Sequence, residues 1–279
     1  MTPKVSTIKR SFSPPSIPSQ EEWEAARWAE ERIFPAVRPA TPGLDYYGDW
    51  RPALGVSADF IDYFLVNDDQ LGLAVGDVSG KGLPAALVTS SLRSKIRALR
   101  SAHNSSLQEL VRPVHEMLCE ISPGEGYATL FIARFDPVEL RLHYVNAGHE
   151  PPFVLRRNGR HYRTIFLETG GPAIGMARQS AYREGVVSLN PDDLLVAYTD
   201  GLCETMNPRG ETWGWPRFLE RVESCAEKPA WDIVGAIMQE TEIFAAGAPQ
   251  YDDATLWVGK VEDLADEPLW DTECAEVAA

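Results

Sequence analysis

The stretch Leu71–Pro84, LGLAVGDVSGKGLP, decides how the rest of the chain is read. An apolar run of strand length stops on Asp77, a glycine-rich turn follows, and Pro84 opens a segment with helical spacing. The turn does not have the spacing of a nucleotide cradle. Only three residues separate Gly76 from the Gly80-Lys81 pair, and Gly82 stands where a P-loop needs Ser or Thr. Asp77 would also repel a phosphate held directly, whereas beside a divalent cation the same charge becomes a ligand through which phosphate can be held. Metal first and phosphate second is the working order.

Outward from this stretch the grammar alternates between strands and helices. On its C-terminal side Ala85, Val88, Leu92, Ile96 and Leu99 make a helical face, with Arg93, Lys95, Arg97 and Arg100 around it. A second helix is predicted from about Ser106, where Ser106 and Glu109 have capping-box spacing, and it carries Leu107, Leu110, Val111, Val114, Leu118 and Ile121. Pro113 either kinks that helix or sits in the first turn of a later start. On the N-terminal side Tyr46–Pro52 and Ala58–Val66 read as strands, and two acids, Asp59 and Asp62, lie among the aromatic and aliphatic residues of the second. An acid inside a strand needs a reason.

From Tyr127 short strands dominate: ATLFIARFD, LRLHYVNAG and PFVLRRNGRHYRTIFL, the last with Asn158-Gly159 as a hairpin turn. VVSLNPDDLLVAYTDG repeats the pattern of the opening stretch, an apolar strand ending on an acid, here Asp200. Two helices, PRFLERVESCA and PAWDIVGAIMQETEIFAA, follow with Pro near the first position of each. A final strand, DDATLWVGKV, opens on Asp252 and Asp253. Strand runs at both ends, with helices between and after them, predict an α+β domain with a largely antiparallel sheet.

The domain reading is a flexible Ser/Pro-rich leader over 1–19, a helix and Pro-rich connector over 20–42, the main domain over 43–262, and an acidic tail over 263–279. In EEWEAARWAEERIF the residues Ala25, Trp28, Ala29 and Ile33 fall on one side of a helix, with Trp23 and Phe34 away from it. The plain reading of that stripe is packing on the parent domain; the alternative is a regulatory or dimer-forming helix.

The formal charge of −15 and a pI near 4.8 argue against nucleic-acid binding, which rests on Lys and Arg neutralising phosphates. Seven acids and no base follow Lys260, yet the chain between residue 12 and that tail still holds 34 acids against 23 bases. No run is long and apolar enough to span a bilayer, and the N-terminus lacks the apolar core of a signal peptide, so a cytoplasmic location is expected. Cys119, Cys203, Cys225 and Cys274 are scattered without a CxxC pair, which fits reduced thiols rather than a disulfide framework or a zinc site.

Asp59, Asp77, Asp200 and the Asp252-Asp253 pair all lie at or near strand ends, with Gly directly beside Asp77 and Asp200. Single acids of this kind are common in turns and at helix N-caps. If these strand ends converge, they offer several carboxylates with almost no His or Cys, the oxygen-only chemistry that Mg²⁺ or Mn²⁺ prefers. Such a site suits two ions that activate water for in-line hydrolysis of a phosphoryl group.

With these residues in place the chain resembles the PPM family of metal-dependent protein Ser/Thr phosphatases (type 2C-like), in its bacterial stress-response and sporulation branch. The resemblance runs from about Glu31 to Val261 through eight motifs in order: IFPAVRPATPGLDYYGDWRPA, ADFIDYF, GDVSGKGLPAAL, ATLFIARFD, NAGHEPPFVLRR, GGPAIGM, TDGLCET with NPRGETWG, and DDATLWV. It implies a sandwich of two mainly antiparallel β-sheets flanked by helices, with Mn²⁺ or Mg²⁺, two ions, at one edge between the sheets. It implies that Asp77 bridges the ions with help from the Val78 carbonyl, that Asp200 and Asp252 complete the first site, and that Asp59 serves the second, partly through water. These four acids are the catalytic candidates.

The branch usually has Gly-Gly before the first Asp, where this chain has Ser57 and Ala58, so the backbone beside Asp59 is expected to differ. Ser79 stands where eukaryotic relatives place a histidine. His149 reads as a structural residue, Glu204 as support for the loop bearing Asp200, and Trp213 and Trp215 as packing beneath the following helix. Arg51 reads as a surface salt bridge, with phosphate binding as the alternative, and Lys81 has no defined role.

In function the resemblance implies hydrolysis of phosphoserine or phosphothreonine on a phosphorylated regulator of the anti-anti-sigma type, in a partner-switching pathway. An activating partner or a homodimer would join through the 20–34 helix. Two other readings stand beside it. A non-catalytic partner-binding pseudophosphatase would be marked by loss of a metal acid, and none of Asp59, Asp77, Asp200 or Asp252 is lost. A small-molecule phosphohydrolase on the same scaffold would share the chemistry and differ in substrate.

Overall fold

The period-two alternation of the strands sorts their side chains into two faces, and the computed structural model shows where each face is buried. It describes residues 18–33, 38–66, 70–99, 106–122 and 126–263. The leader up to residue 17, Phe34, Cys274 and the acidic tail beyond Asp263 lie outside the described residues. In chain order the elements are α1 (Gln20–Ile33), β1 (Leu44–Arg51), β2 (Asp59–Leu65), β3 (Leu71–Val78), α2 (Leu83–Leu99), α3 (Leu107–Ile121), β4 (Ala128–Asp136), β5 (Arg141–Ala147), β6 (Phe153–Asn158), β7 (His161–Phe166), β8 (Gly170–Gly171), β9 (Gly185–Ser188), β10 (Leu194–Tyr198), α4 (Asp200–Glu204), α5 (Gly214–Cys225), α6 (Ala230–Ala245) and β11 (Ala254–Val261).

One sheet runs β1-β11-β10-β6-β7, and the other β2-β3-β4-β5-β8 with β9 also paired to β5. The short β5-β8 pairing is parallel, and the other ladders are antiparallel. Between the sheets Ile61 and Tyr63 of β2, Leu73 and Val75 of β3, and Phe131 and Ala133 of β4 meet Leu195 and Ala197 of β10 and Trp257 of β11. The opposite face of the second sheet, with Phe60, Phe64 and Ile132, packs under Leu92 and Ile96 of α2 and Val111, Val114 and Leu118 of α3. The outer face of the first sheet, with Val196, Leu256 and Val258, packs under Phe218 and Val222 of α5 and Ile233 and Ile237 of α6. The result is four layers, helix, sheet, sheet, helix, as the α+β sandwich reading expected.

At one end of the sandwich the inward-facing positions turn polar. The parity that buries Ile61 ends on Asp59, that of Val75 reaches Asp77, that of Phe131 begins at Thr129, and those of Ala197 and Trp257 extend to Thr199 and Thr255. All five are neighbours because β2, β3 and β4 pair Asp59 with Asp77 and Asp77 with Thr129, while Thr199 bonds Thr255 across the other sheet. The apolar filling stops there, and the site begins.

Asp62, on the outer face of β2, has a structural reason for being inside a strand. It is fully buried, Arg97 of α2 grips it with Nε 2.7 Å from one carboxylate oxygen and a terminal nitrogen 2.6 Å from the other, and Arg93 lies 3.8 Å away. This pair fastens α2 to the sheet.

Three local expectations are revised. The stripe of α1 is turned. Trp23, Ala26 and Glu30 are its more covered residues, while Trp28 is 60% exposed with the Arg32 guanidinium over its ring. The cause is Gly55, whose missing side chain leaves the place taken by the Trp23 ring. The helix α3 starts before Pro113 and runs through it, and the Ser106 hydroxyl does not cap it. Glu184 instead accepts from the Leu107 amide at 2.8 Å and from the Ser106 hydroxyl at 3.2 Å, a cap supplied from a distant segment. In the β6-β7 hairpin Asn158 pairs with His161, so the two central turn residues are Gly159, at positive φ, and Arg160. Among the described residues no helix is long and apolar enough to cross a membrane, and Cys119, Cys203 and Cys225 are free.

Candidate metal centre

The site is built where the polar ends of both sheets face each other. Asp59 and Asp77 are cross-strand partners on the inward face of β2 and β3. On the other sheet β10 ends at Tyr198, and after Thr199 Asp200 opens the one-turn helix α4. Gly201 is required here, because a Cβ on it would stand 2.1 Å from the Asp253 carbonyl oxygen and 3.1 Å from the Asp252 Cβ. That close approach sets Asp200 beside Asp252 at the start of β11.

Asp59 is held from the opposite sheet. Thr199 and Thr255 each donate a hydroxyl to its Oδ2 at 2.7 Å. The Thr199 hydroxyl, placed to cap α4, is thereby diverted across the sandwich. Burial first, and then the Asp77 charge, push the Asp59 carboxyl well above the usual range. Asp77 is pushed up to about 7, chiefly by burial and then by Asp200 and Asp252. Asp200 is raised in the same way, by burial and then by Asp252. Glu204 at the end of α4 and Glu150 after β5 are raised too, each by burial and then by Asp200. These carboxylates crowd one edge with more negative charge than the protein neutralises, an arrangement that a divalent cation would relieve.

The chemistry of the donor set fits a hard cation, since Asp59, Asp77, Asp200 and Asp252 offer oxygen alone. As the side chains stand, no three His, Cys, Asp or Glu residues among those described close around a common point. Two contacts explain this. Asp252 is turned to Lys81, with Oδ2 2.9 Å from Nζ, and Asp59 is engaged by its two threonines.

The Asp252-Asp253 pair divides its work. Asp253 is buried and accepts from the amides of Ala53 at 2.6 Å and Ala58 at 2.5 Å and from the Ser57 hydroxyl at 3.2 Å. It therefore ties the loop that leads into Asp59. Ser57 also accepts from the Asp59 amide at 3.1 Å, and its own amide donates to Glu30 of α1 at 2.6 Å. Neither Ser57 nor Ala58 has positive φ, so this backbone accommodates their side chains.

Other candidates resolve into structural roles. His149 is buried, Thr129 Oγ1 stands 2.8 Å from its Nδ1, and Asn146 bonds both its amide and its carbonyl. Burial lowers its imidazole to about 4, so it is neutral at pH 7 and no imidazolium donor. Ser79 accepts from the Tyr127 amide at 3.0 Å and is occupied with the backbone. Cys203 beside Asp200 is pushed up to about 12 by burial and then by Glu150, which keeps its thiol protonated and a weak nucleophile. Arg51 points away from the acids, to the Thr241 hydroxyl of α6 at 3.2 Å.

Trp213 is buried beneath α5 as expected, but Trp215 is not simply packing. It joins Phe166, Tyr198, Cys203, Glu150 and Glu204 around a cavity of about 440 Å³ that opens beside Asp200. A smaller recess of about 50 Å³ between Asp77, Thr129, His149, Glu150 and Asp200 adjoins it through Glu150 and Asp200. Sequence reasoning missed Thr199, Thr255 and Glu150. The inward parity of the two threonines beside the strand-end acids shows in the sequence, but their bonds to Asp59, made across the sandwich, do not.

A family model described as Stage II sporulation protein E (SpoIIE) matches residues 67–262. Protein IcfG from Synechocystis sp. is 29% identical over 84% of this chain and 40% of that protein. Phosphoserine phosphatase RsbU from Bacillus subtilis is 26% identical over 72% of this chain and 57% of its own length. The chain thus spans about half the length of these curated relatives. Among solved structures the SiaA-PP2C domain of Pseudomonas aeruginosa superposes with a TM-score of 0.75 at 22% identity, covering 87% of this chain and 96% of that one.

Proposed function

The chain belongs to the Stage II sporulation protein E (SpoIIE) family, in the bacterial branch of the PPM phosphatases, and on that premise we propose that it is a Mn²⁺- or Mg²⁺-dependent phosphatase of phosphoserine or phosphothreonine in a protein substrate. The single observation that carries this reading is the cross-strand pair Asp59-Asp77 facing Asp200 and Asp252 at one edge of the sandwich, crowded enough to lift Asp77 to about 7. Asp77, helped by the Val78 carbonyl, would serve both ions, with Asp200 and Asp252 completing the first site and Asp59 serving the second. Two such ions supply an activated water and a clamp for the phosphoryl oxygens.

The protein's own contribution is placement. Asp253 and Glu30 fix the loop entering Asp59, and the two threonines fix the Asp59 carboxylate. Gly201 sets Asp200 against Asp252. Cys203 is a protonated thiol and His149 a neutral imidazole, which favours direct attack by water over a covalent enzyme intermediate. The leaving group would then take its proton from solvent rather than from Ser79, whose hydroxyl serves the Tyr127 amide.

The relative named phosphoserine phosphatase RsbU supports a phosphoserine substrate. A small regulator of the anti-anti-sigma type in a partner-switching pathway is the candidate that the family resemblance supplies. We read 43–262 as the phosphatase domain and 20–42 as its helix and connector, and the 20–34 helix as the contact for an activating partner or a second copy. That helix reaches the site through Glu30 and Ser57. The reading is tested by a panel of phosphoseryl and phosphothreonyl proteins beside small phosphorylated metabolites, assayed with Mn²⁺. Phosphate release from a phosphoprotein at least about 100-fold above that from any metabolite is expected, a discrimination within the reach of protein contacts outside the reacting group. The reverse preference would make the chain a small-molecule phosphohydrolase.

A further inference from the structure

Lys81 is the residue of the decisive stretch that the proposed chemistry leaves without work, and its surroundings are specific. Its Nζ lies 2.9 Å from Asp252 Oδ2 and also donates to the Tyr251 carbonyl. Its charge is felt by Asp200 and Glu204, where it opposes the upward shift that burial and the neighbouring carboxylates cause. The flanking residues Gly80 and Gly82 have φ of +105° and +70°, a conformation that L side chains rarely adopt. They hold the turn so that the residue between them faces the acids from the α2 side. The Lys81 side chain is 44% exposed, so it stays free to swing on its four-carbon stem.

We propose that Lys81 is a two-position residue of the metal centre: an internal counter-ion that competes with a divalent cation for Asp252, and, once displaced, a binding group for the substrate's phosphoryl oxygens. The inference rests on the phosphatase reading above. A divalent ion and the Lys81 ammonium, 2.9 Å from Asp252 Oδ2, would draw on the same carboxylate charge, and the two positive charges repel. The displaced ammonium remains tethered at the mouth of the site, the side from which a dianionic phosphoryl group must approach. There its three donors suit a phosphate as a point charge.

The experiment is a calorimetric Mn²⁺ titration of the full chain and of Lys81→Gln, Lys81→Arg and Lys228→Gln, followed by kinetics on a phosphoseryl substrate at saturating Mn²⁺. Lys228 is an exposed residue beside Glu227, whose carbonyl is held by Lys260 near the far end of β11, so its substitution controls for net charge alone. Lys81→Gln should bind Mn²⁺ about three- to tenfold more tightly, the size expected for removing a half-exposed charge from a ligand, while Lys81→Arg and Lys228→Gln stay within twofold of the parent. At saturating Mn²⁺ Lys81→Gln should raise KM about fivefold or more with kcat changed less, and Lys81→Arg should restore most of it. Unchanged or weaker Mn²⁺ binding by Lys81→Gln overturns the competition, and an unchanged KM overturns the phosphate role. Mn²⁺ binding by none of the four proteins would instead remove the metal reading on which the inference rests.

Discussion

Replacing Asp77 by Asn is expected to lower phosphate release by about 10³-fold or more while raising the thermal stability of the metal-free protein at neutral pH. Even residues that only orient a metal ligand cost 10- to 100-fold when lost, and Asp77 is the carboxylate on which the others converge. The stability gain follows from the same crowding. Asp77 titrates near 7 in the folded chain because burial, Asp200 and Asp252 oppose its charge, against an ordinary value of 3.8. Between about pH 4 and 7 the folded protein therefore holds a proton that the unfolded chain releases, and stability from this group falls as pH rises through that window. Asn carries no such penalty. In chelator, Asp77→Asn should melt above the parent at pH 8, with the difference shrinking towards pH 4. A variant that melts lower at pH 8 would mean that the carboxylate is not under electrostatic strain.

The second large effect concerns stability alone. Asp62→Ala is expected to destabilise the fold by about 3–5 kcal/mol, because it removes the buried carboxylate that faces Arg93 and Arg97 and leaves guanidinium charge at the α2-β2 junction. For a domain of this size that is a fall of about 10 °C in melting temperature. Asp62 lies on the outer face of β2, opposite to Asp59, so the activity of the protein that remains folded should stay close to the parent's. Denaturant unfolding followed beside specific activity checks both halves. A loss of activity without a loss of stability would move Asp62 from the framework into the site.

The contrast between Asp59 and Asp62 shows how much the sequence discloses. Both are acids in one strand flanked by the same kinds of residue, and only their parity separates them: Asp59 shares the inter-sheet face with Ile61 and Tyr63, and Asp62 does not. The strands and their ends at Asp77 and Asp200 were legible because alternation and turn residues are local signals, while the two-sheet architecture and the convergence of the acids came from the family resemblance. What was not legible depends on partners distant in the chain. The threonines that hold Asp59 stand 140 and 196 residues away, and Glu184 caps α3 from 77 residues away. Asp252 and Asp253 are identical neighbours in sequence, yet Asp252 meets Lys81 while Asp253 ties the loop before Asp59. The face of α1 was misjudged because Gly55, outside the helix, decides which tryptophan is covered.

The metal-dependent chemistry proposed for this carboxylate edge is tested most directly by phosphate release from an aryl phosphate, measured after exhaustive chelation and again during a Mn²⁺ titration. The structure predicts activity at background in chelator and saturable recovery with Mn²⁺ in the parent, with no recovery in Asp77→Asn. Hydrolysis that continues unchanged in chelator, or that Asp77→Asn retains in full, would contradict the account.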